Sequence, residues 1–353
     1  MRTISCHGTP YEIGLQHGEH ARKEIAGSME FYAGMFKQVC AMEWADVCAV
    51  AVRFVPFLEG EGGFGGYMEE MRGIAQGAGV PLESILALNV RTEIAYGMFS
   101  DGCTAFSWKQ GKESFLAQNW DWDRKQSPNL ISLHITQTAP KPSIHMITEA
   151  GIIGKIGLNS HGVGVTLNAI KFAGIAFSKL PCHLALRAAL DSASRVEAME
   201  TLERHGVASA CHILVADATG GTGLECSSGD IVRLNMGDAV EGGVEGLVTH
   251  TNHFVHGHEG VEPIAYLEDS VPRLERAREL VAAAVGKGVG PGVGVIEEIL
   301  KDEKGFPTAI CREVAEKSEL ATLFCIVMDL TGRKAVVKIG RPVEAEGVLE
   351  LKP

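Results

Sequence analysis

Ser100-Asp101-Gly102-Cys103-Thr104 decides the fold, and eighteen residues after the cysteine comes Asp121 in Gln118-Asn119-Trp120-Asp121. A cysteine directly after a glycine, at the start of a β-rich segment, indicates a chain that cleaves itself between those two residues. Gly102 has no Cβ, so it tolerates strained dihedrals and leaves its carbonyl open to attack. The sequence therefore predicts that the Cys103 thiol attacks the Gly102 carbonyl, and that water then releases the resulting thioester.

Cleavage at this bond would leave Cys103 with a free α-amine next to its own thiol. An α-amine titrates at about 7.7–8.0 and a thiol at about 8.5, so the two groups can exchange a proton near neutral pH. An N-terminal residue of this kind can act as both nucleophile and base. The alternative interpretation of Cys103 is a buried structural cysteine, which is the commoner role for a free cysteine.

Composition limits the class of protein. With 353 residues the chain has room for one large domain or two smaller ones, and 46 % hydrophobic and 22 % charged residues are typical of a soluble globular protein. A net charge of −12 without a basic run argues against nucleic acid or an anionic membrane as partner. Nine cysteines without a CxxC pair indicate reduced thiols.

The sequence predicts no targeting signal: we expect no signal peptide at the N-terminus, no membrane span and no peroxisomal address in the final residues. The expected location is therefore the cytoplasm.

Hydrophobic periodicity predicts helices over most of residues 1–99, including one from Tyr11 to Phe36, with a glycine-rich loop at 59–66. After Gly102 the pattern changes to short strands. Predicted strands are 115–118, 130–137, 144–149, 212–216, 231–234, 246–252, 322–328 and 335–339, and the segment 154–169 is dense in glycine and β-branched residues. Predicted helices are 181–187, 195–205 and 270–285. Helices followed by many strands, and then by both, predict layered sheets flanked by helices.

The motifs around Cys103 and Asp121 closely resemble those of the fungal acyl-coenzyme A:6-aminopenicillanic acid acyltransferases, a family of the N-terminal-nucleophile type. The likeness extends over nearly the whole chain, including 6–14, 91–97, 148–155, 250–253 and 310–312. The resemblance implies an α+β fold, a four-layer αββα sandwich, in one domain of residues 1–353. It also implies self-cleavage into residues 1–102 and 103–353, which remain together as a heterodimer.

The resemblance also implies roles for individual residues. Cys103 matches the nucleophile and new N-terminus, and Asn252 matches the asparagine that stabilises the tetrahedral oxyanion; such a donor is worth roughly 2.7–4 kcal/mol. Asp121 matches an aspartate that either orients the Cys103 α-ammonium or holds a substrate amine. Arg312 either anchors Asp121 or binds a carboxylate through two parallel hydrogen bonds.

Glu319 is a departure from the family pattern. The penicillin-making members have Lys-Ser-Arg-Gly-Ala-Thr where this chain has Lys-Ser-Glu-Leu-Ala-Thr at 317–322. Their arginine is placed to hold the carboxylate of the penicillin nucleus, whereas a glutamate would repel it. We therefore expect Glu319 to shape acceptor choice away from penicillin-type amines, with the self-cleavage chemistry unaffected.

Metal and cofactor sites are not expected. His250, His253, His256 and His258 crowd one stretch, but strand alternation would place His250 and His253 on different faces, and no zinc motif accompanies them.

The sequence thus predicts a self-cleaving cysteine acyltransferase or amidohydrolase that uses a small-molecule acyl donor and an amine acceptor. Acyl-coenzyme A as co-substrate follows from the resemblance alone. Two alternatives stay open: an amide hydrolase of amino-acid conjugates, and a self-cleaving paralogue that acts only as a binding protein.

Overall fold

The computed structural model describes residues 1–60, 62–95, 102–238, 243–258, 268–316 and 318–353. Ser100 and Asp101 of the predicted cleavage stretch lie outside the described residues, as do Glu61 of the predicted loop and Lys317. Within the described residues, no helix is both long and apolar enough to cross a membrane.

The described strands are β1 Arg2–Gly8, β2 Gly102–Gln110, β3 Glu113–Asp123, β4 Leu130–Gln137, β5 Ile144–Glu149, β6 Ile156–Asn159, β7 Gly164–Ala169, β8 Cys211–Asp217, β9 Gly220–Cys226, β10 Ile231–Asn235, β11 Leu247–His250, β12 Leu320–Asp329, β13 Lys334–Ile339 and β14 Gly347–Leu351. The described α-helices are α1 Pro10–His20, α2 Arg22–Cys40, α3 Trp44–Val52, α4 Val55–Glu59, α5 Gly65–Ala78, α6 Leu82–Asn89, α7 Arg91–Ile94, α8 Cys182–Leu190, α9 Arg195–His205, α10 Ser270–Gly286 and α11 Val293–Leu300. A 3-10 helix spans Arg124–Asn129.

These strands form two sheets that pack face to face. One sheet has the order β1-β4-β5-β6-β7-β8-β9-β10, and the other has the order β11-β2-β3-β12-β13-β14. Helices α1, α2, α8 and α9 contact the first sheet on its outer side, and α10 and α11 cover the second. The α+β class and the αββα layering expected from the resemblance are therefore confirmed.

Local sequence explains how the N-terminal helices begin and pack. Thr9 caps α1 through a capping box with Glu12, and Pro10 occupies the first turn, where its missing N–H costs nothing. Helix α1 packs so closely on α5 that a Cβ on Gly14 would lie only 1.9 Å from the main-chain oxygen of Glu70. Only glycine permits that approach.

One strand was not predicted, and two expectations from the sequence are wrong in detail. The segment before α1 forms β1, which pairs in parallel with β4, a partner more than 120 residues away that local pattern cannot reveal. The helix expected from Tyr11 to Phe36 is interrupted at Ala21, whose φ of −114° and ψ of 24° depart from helical values. Strand β9 lies between β8 and β10, where a turn was expected. Its glycines hide the alternating pattern from which a strand is predicted.

Candidate functional site

Cys103 is the second residue of β2, the strand next to the edge strand β11 of the second sheet. Strand β2 pairs with β3 on one side, so that Gly102 lies opposite Asp121 and Cys103 opposite Trp120. On the other side β2 pairs with β11, whose last residue is followed two positions later by Asn252. The sheet therefore brings together residues that are far apart in sequence, and Cys103 is fully buried among them.

The main chain of Cys103 is held at both ends of the residue. Its N–H donates to Asn252 Oδ1 at 2.7 Å. Its carbonyl oxygen accepts from Asn168 Nδ2 at 3.2 Å and from Arg273 Nη1 at 2.7 Å. The thiol lies 4.0 Å from the main-chain oxygen of Asp121, the distance of a weak S–H···O contact. Residue 103 is thus fixed independently of its bond to Gly102.

The Asn252 amide has a defined orientation. Its Oδ1 accepts from Cys103 N and from Arg273 Nη2, the latter at 2.9 Å, so this atom must be the oxygen. Its Nδ2 donates to the main-chain oxygen of Ala169 at 3.0 Å, and its own N–H donates to Ser270 Oγ at 2.8 Å. The amide nitrogen carries a second N–H besides the one that binds Ala169.

The Asp121 carboxylate is bound away from Cys103. Thr322 Oγ1 donates to Oδ1 at 2.7 Å, and Arg312 Nε donates to Oδ2 at 3.3 Å. Burial raises the pKa of the Asp121 carboxyl to about 7, against the opposing effects of Arg312 and Arg273. Asp121 was expected to bind either the Cys103 nitrogen or a substrate amine. The Cys103 nitrogen donates to Asn252 Oδ1 and not to Asp121.

Arg312 is buried, with about 2 % of its surface exposed, and it pairs with two carboxylates, those of Asp121 and Asp269. Its guanidinium packs against Gly102: a Cβ at that position would lie 2.7 Å from Arg312 Nε. The close approach of Arg312 therefore leaves little room for a side chain at this position.

A cavity of about 40 Å³ lies beside this cluster, with space for a few water molecules. Its apolar wall includes Trp120, the strand partner of Cys103, and Ala169, the partner of Asn252. The apolar lining residues are Ala95, Trp120, Trp122, Leu167, Ala169, Ile170, Phe172 and Ala210.

The cavity also has a charged end. Arg91 and Lys155 line it, and both bind the buried carboxylate of Glu149, at 2.5 and 2.6 Å. Burial alone would raise the pKa of Glu149, but these two cations outweigh it and lower the pKa to about 2. Lys155 Nζ also lies 4.1 Å from the centroid of the Trp120 ring. The cavity is therefore mainly apolar with a cationic rim.

Glu319 stands apart from this cluster. It is exposed and immediately precedes β12, with its main-chain oxygen accepting from Arg124 N at 3.1 Å. The next residue, Leu320, pairs with Asp123, two positions beyond Asp121 along β3. The structure thus brings Gly102, Cys103, Asp121, Asn252 and Arg312 together and leaves Glu319 at the surface nearby.

The histidine-rich stretch contributes to packing around the cluster. The rings of His250 and His253 lie 6.3 Å apart, so the expectation that they face opposite sides is wrong; β11 ends at His250, and strand alternation does not extend to His253. His250 Nε2 pairs with buried Glu225 at 2.8 Å and its ring stacks on that of His212. Among the described side chains, no group of three or more histidines, cysteines or carboxylates is arranged to hold a metal.

Sequence reasoning missed Arg273 and Asn168, both in contact with the Cys103 carbonyl oxygen. A signal for Arg273 was present: it precedes Ala277 and Val281 at four-residue intervals, which places an arginine on the buried face of α10. Asn168 is the penultimate residue of the buried strand β7, and its Oδ1 bonds to His212 Nδ1 at 3.1 Å. No local pattern distinguishes it from other strand residues.

Comparison with known proteins places these residues in a wider context. Residues 108–344 match the family model of acyl-coenzyme A:6-aminopenicillanic acid acyl-transferase. The chain is 38 % identical over 347 residues to the acyl-coenzyme A:6-aminopenicillanic-acid-acyltransferase 40 kDa form of Emericella nidulans, covering 97 % of this chain and 93 % of that protein.

More distant similarity is found among solved structures. A variant of the conjugated bile acid hydrolase from Clostridium perfringens aligns with a TM-score of 0.49 and 13 % identity, over 71 % of this chain and 92 % of that one. A Caenorhabditis elegans N-acylethanolamine-hydrolyzing acid amidase ortholog aligns with a TM-score of 0.47 and 16 % identity, over 65 % and 93 %. The penicillin V acylase of Agrobacterium tumefaciens aligns with a TM-score of 0.46 and 12 % identity, over 71 % and 86 %. Alignments this distant assign no function.

Proposed function

Because the chain belongs to the acyl-coenzyme A:6-aminopenicillanic acid acyltransferase family, we propose that it is a self-cleaving cysteine acyltransferase with amide hydrolase activity. The supporting observation is the convergence on one residue, Cys103, of a buried thiol, a polar clamp on its nitrogen and carbonyl, and an adjacent cavity. The 38 % identity to a fungal acyltransferase over nearly the whole chain supports the same reaction class.

Self-cleavage is the first step of the proposal. The Cys103 sulfur attacks the Gly102 carbonyl carbon, the Gly102–Cys103 C–N bond breaks, and the nitrogen takes up the thiol proton. Water then hydrolyses the thioester, which leaves residues 1–102 ending in a carboxylate and residues 103–353 starting with an amine. The two chains stay associated as a heterodimer, because β1 of the first lies within a sheet made otherwise of strands of the second.

Acyl transfer follows at the same sulfur. The α-amine takes the Cys103 thiol proton, the thiolate attacks the carbonyl of an amide or of an acyl-coenzyme A thioester, and the leaving group is reprotonated as it departs. The second N–H of Asn252 Nδ2 donates to the oxyanion, since the first already binds Ala169. An amine acceptor then resolves the acyl-cysteine by transfer, and water resolves it by hydrolysis.

Substrate binding is proposed from the two sides of the cluster. The apolar cavity beside Trp120 suits the acyl group, although a group larger than a few water molecules requires its walls to move apart. Asp121, with Arg312 behind it, suits the amine of the acceptor. Glu319 at the nearby surface disfavours acceptors that carry a carboxylate, so Glu319→Arg is expected to improve their use relative to neutral amines.

Trapping the acyl-enzyme tests this function. Purified protein is incubated with an acyl-coenzyme A series with and without a panel of amines, and the mass of the 103–353 chain is followed. We expect an acyl adduct at Cys103 that is removed when an amine is added. The control Cys40→Ala, which replaces a half-exposed cysteine remote from the site, should give the same result. Discharge by water alone would favour the amide hydrolase, and cleavage without any adduct would favour the binding protein.

A further inference from the structure

Arg273 bridges the two residues on which the proposed reaction depends. It lies in the first turn of α10 with only 2 % of its surface exposed. One guanidinium nitrogen, Nη1, donates to the Cys103 carbonyl at 2.7 Å and to Thr104 Oγ1 at 3.1 Å. The other, Nη2, donates to Asn252 Oδ1 at 2.9 Å. A rigid, always charged fork therefore fixes the nucleophile residue and the asparagine relative to each other.

The shared acceptor places a positive charge beside the Cys103 nitrogen. Asn252 Oδ1 lies 2.7 Å from Cys103 N and 2.9 Å from Arg273 Nη2, so these two nitrogens are at most about 5.6 Å apart, the sum of both distances. In the uncleaved chain this nitrogen is an uncharged amide. After cleavage it becomes an amine that can gain a proton, and a second positive charge would then form in a buried site.

We propose that Arg273 is a positioning residue that holds Cys103 once cleavage has made it an N-terminus, and that its charge keeps the new α-amine neutral and ready to accept the thiol proton. This inference rests on the proposed self-cleavage. Arg273 transfers no proton itself: the proton moves from Cys103 Sγ to Cys103 N, and the sulfur electron pair then forms the bond to the acyl carbon.

Other charges around the amine modify this effect. Asp269 lies 3.3 Å from Arg273 Nη2 and offsets part of its field, and Asp121 on β3 acts in the same direction. Arg312 pairs with both carboxylates and opposes them. Burial lowers the pKa of His253 to about 4, so that ring stays neutral. Among the described groups, Arg273 is the cation that shares an acceptor with the amine.

The size of the effect follows from Coulomb's law. Two unit charges about 5 Å apart at an effective dielectric constant of about 20 shift the pKa of the amine by about two units. With the opposing carboxylates we expect a net shift of about one unit. An amine with an ordinary pKa of about 7.7–8.0 would then be mostly neutral at physiological pH.

The test compares the pH dependence of Cys103 in three variants of the full chain after self-cleavage. Arg273→Met removes the charge, Arg273→Lys keeps it but loses the fork, and Arg278→Met removes a half-buried arginine of the same helix that binds Thr249. The readouts are kcat/KM with an acyl-coenzyme A donor, and the rate of Cys103 alkylation by iodoacetamide measured by mass. Both are recorded from pH 5 to 9.

We expect the acid-side midpoint of both profiles to rise by about one pH unit in Arg273→Met and to stay unchanged in Arg278→Met. In Arg273→Lys the midpoint should stay near that of the wild type while kcat falls, because one contact of the fork is lost. An Arg273→Met midpoint within about 0.3 units of the wild type would overturn the inference. If Arg273→Met does not fold or does not cleave, Arg273→Lys decides instead. Because lysine keeps the charge, a midpoint raised by about one pH unit in that variant would overturn the inference.

The outcomes separate this inference from the proposed function. A wild type that cleaves but transfers no acyl group contradicts the function, while its alkylation profiles still decide the role of Arg273. A wild type that never cleaves contradicts both, and this is seen directly as a single chain before any profile is measured.

Discussion

Replacing Asn252 by aspartate distinguishes the role of its side-chain oxygen from that of its side-chain nitrogen. Aspartate is nearly isosteric and keeps an oxygen for Cys103 N and Arg273 Nη2, at 2.7 and 2.9 Å. It replaces Nδ2, which donates to Ala169 O at 3.0 Å, with an oxygen that cannot donate. Loss of one oxyanion donor costs about 2.7–4 kcal/mol, a 10²- to 10³-fold fall in rate. The new carboxylate also stabilises the protonated amine, so the fall should be at least that large.

The assay is the rate at which acyl-Cys103 forms from an acyl-coenzyme A donor, normalised to the amount of cleaved chain so that poor folding does not count. Asn235→Asp, which makes the same change at an exposed residue of β10, serves as the control and should retain the wild-type rate. An Asn252→Asp rate within about threefold of the wild type would refute the oxyanion role. Asn252 would then serve only to hold the nitrogen of Cys103.

The other predictions concern the buried charges and the cleavage site. Glu149 has a folded pKa of about 2, below its unfolded value of 4.5, so its stabilising effect of roughly 3 kcal/mol is present above pH 4.5 and is lost as pH falls towards 2. The difference in unfolding free energy between wild type and Glu149→Gln, from urea titrations, should therefore shrink from pH 7 to pH 3; equal differences would contradict the assignment. Gly102→Ala should slow self-cleavage at least tenfold, because its Cβ would collide with the buried Arg312 guanidinium. The control Gly34→Ala, in open space on α2, should cleave at the normal rate. If the two cleavage products appear equally fast in both variants on a denaturing gel, Arg312 moves aside and the prediction is wrong.

Much of the fold could be predicted because the signals are local. Helix α9 and strands β4 and β5 have the predicted bounds, since each has a clear period and a turn signal at its ends. The parallel pairing of β1 with β4 could not be predicted from periodicity, because it depends on a contact across more than 120 residues. The sandwich itself came from the resemblance to a known family rather than from composition or pattern.

The candidate site divides in the same way. Cys103 and Asp121 could be chosen because their motifs are continuous in sequence, and strand pairing then explains why they meet. For Arg273 the sequence indicates only a place on the buried face of α10, because its contact with Cys103 depends on how that helix packs over the sheet. For Gly102 the sequence indicated the residue type, whereas the close approach of Arg312, which leaves little room for a Cβ, is visible only in three dimensions.

The breaking of the Gly102–Cys103 bond by its own sulfur is the claim on which the account depends, and intact-mass analysis of purified wild-type protein beside Cys103→Ala tests it most directly. The account predicts that the wild type gives two chains, residues 1–102 and residues 103–353, the second with Cys103 as its N-terminus. Cys103→Ala should remain a single chain of 37.7 kDa. A wild type that stays whole, or an alanine variant that is cut at the same bond, would contradict it.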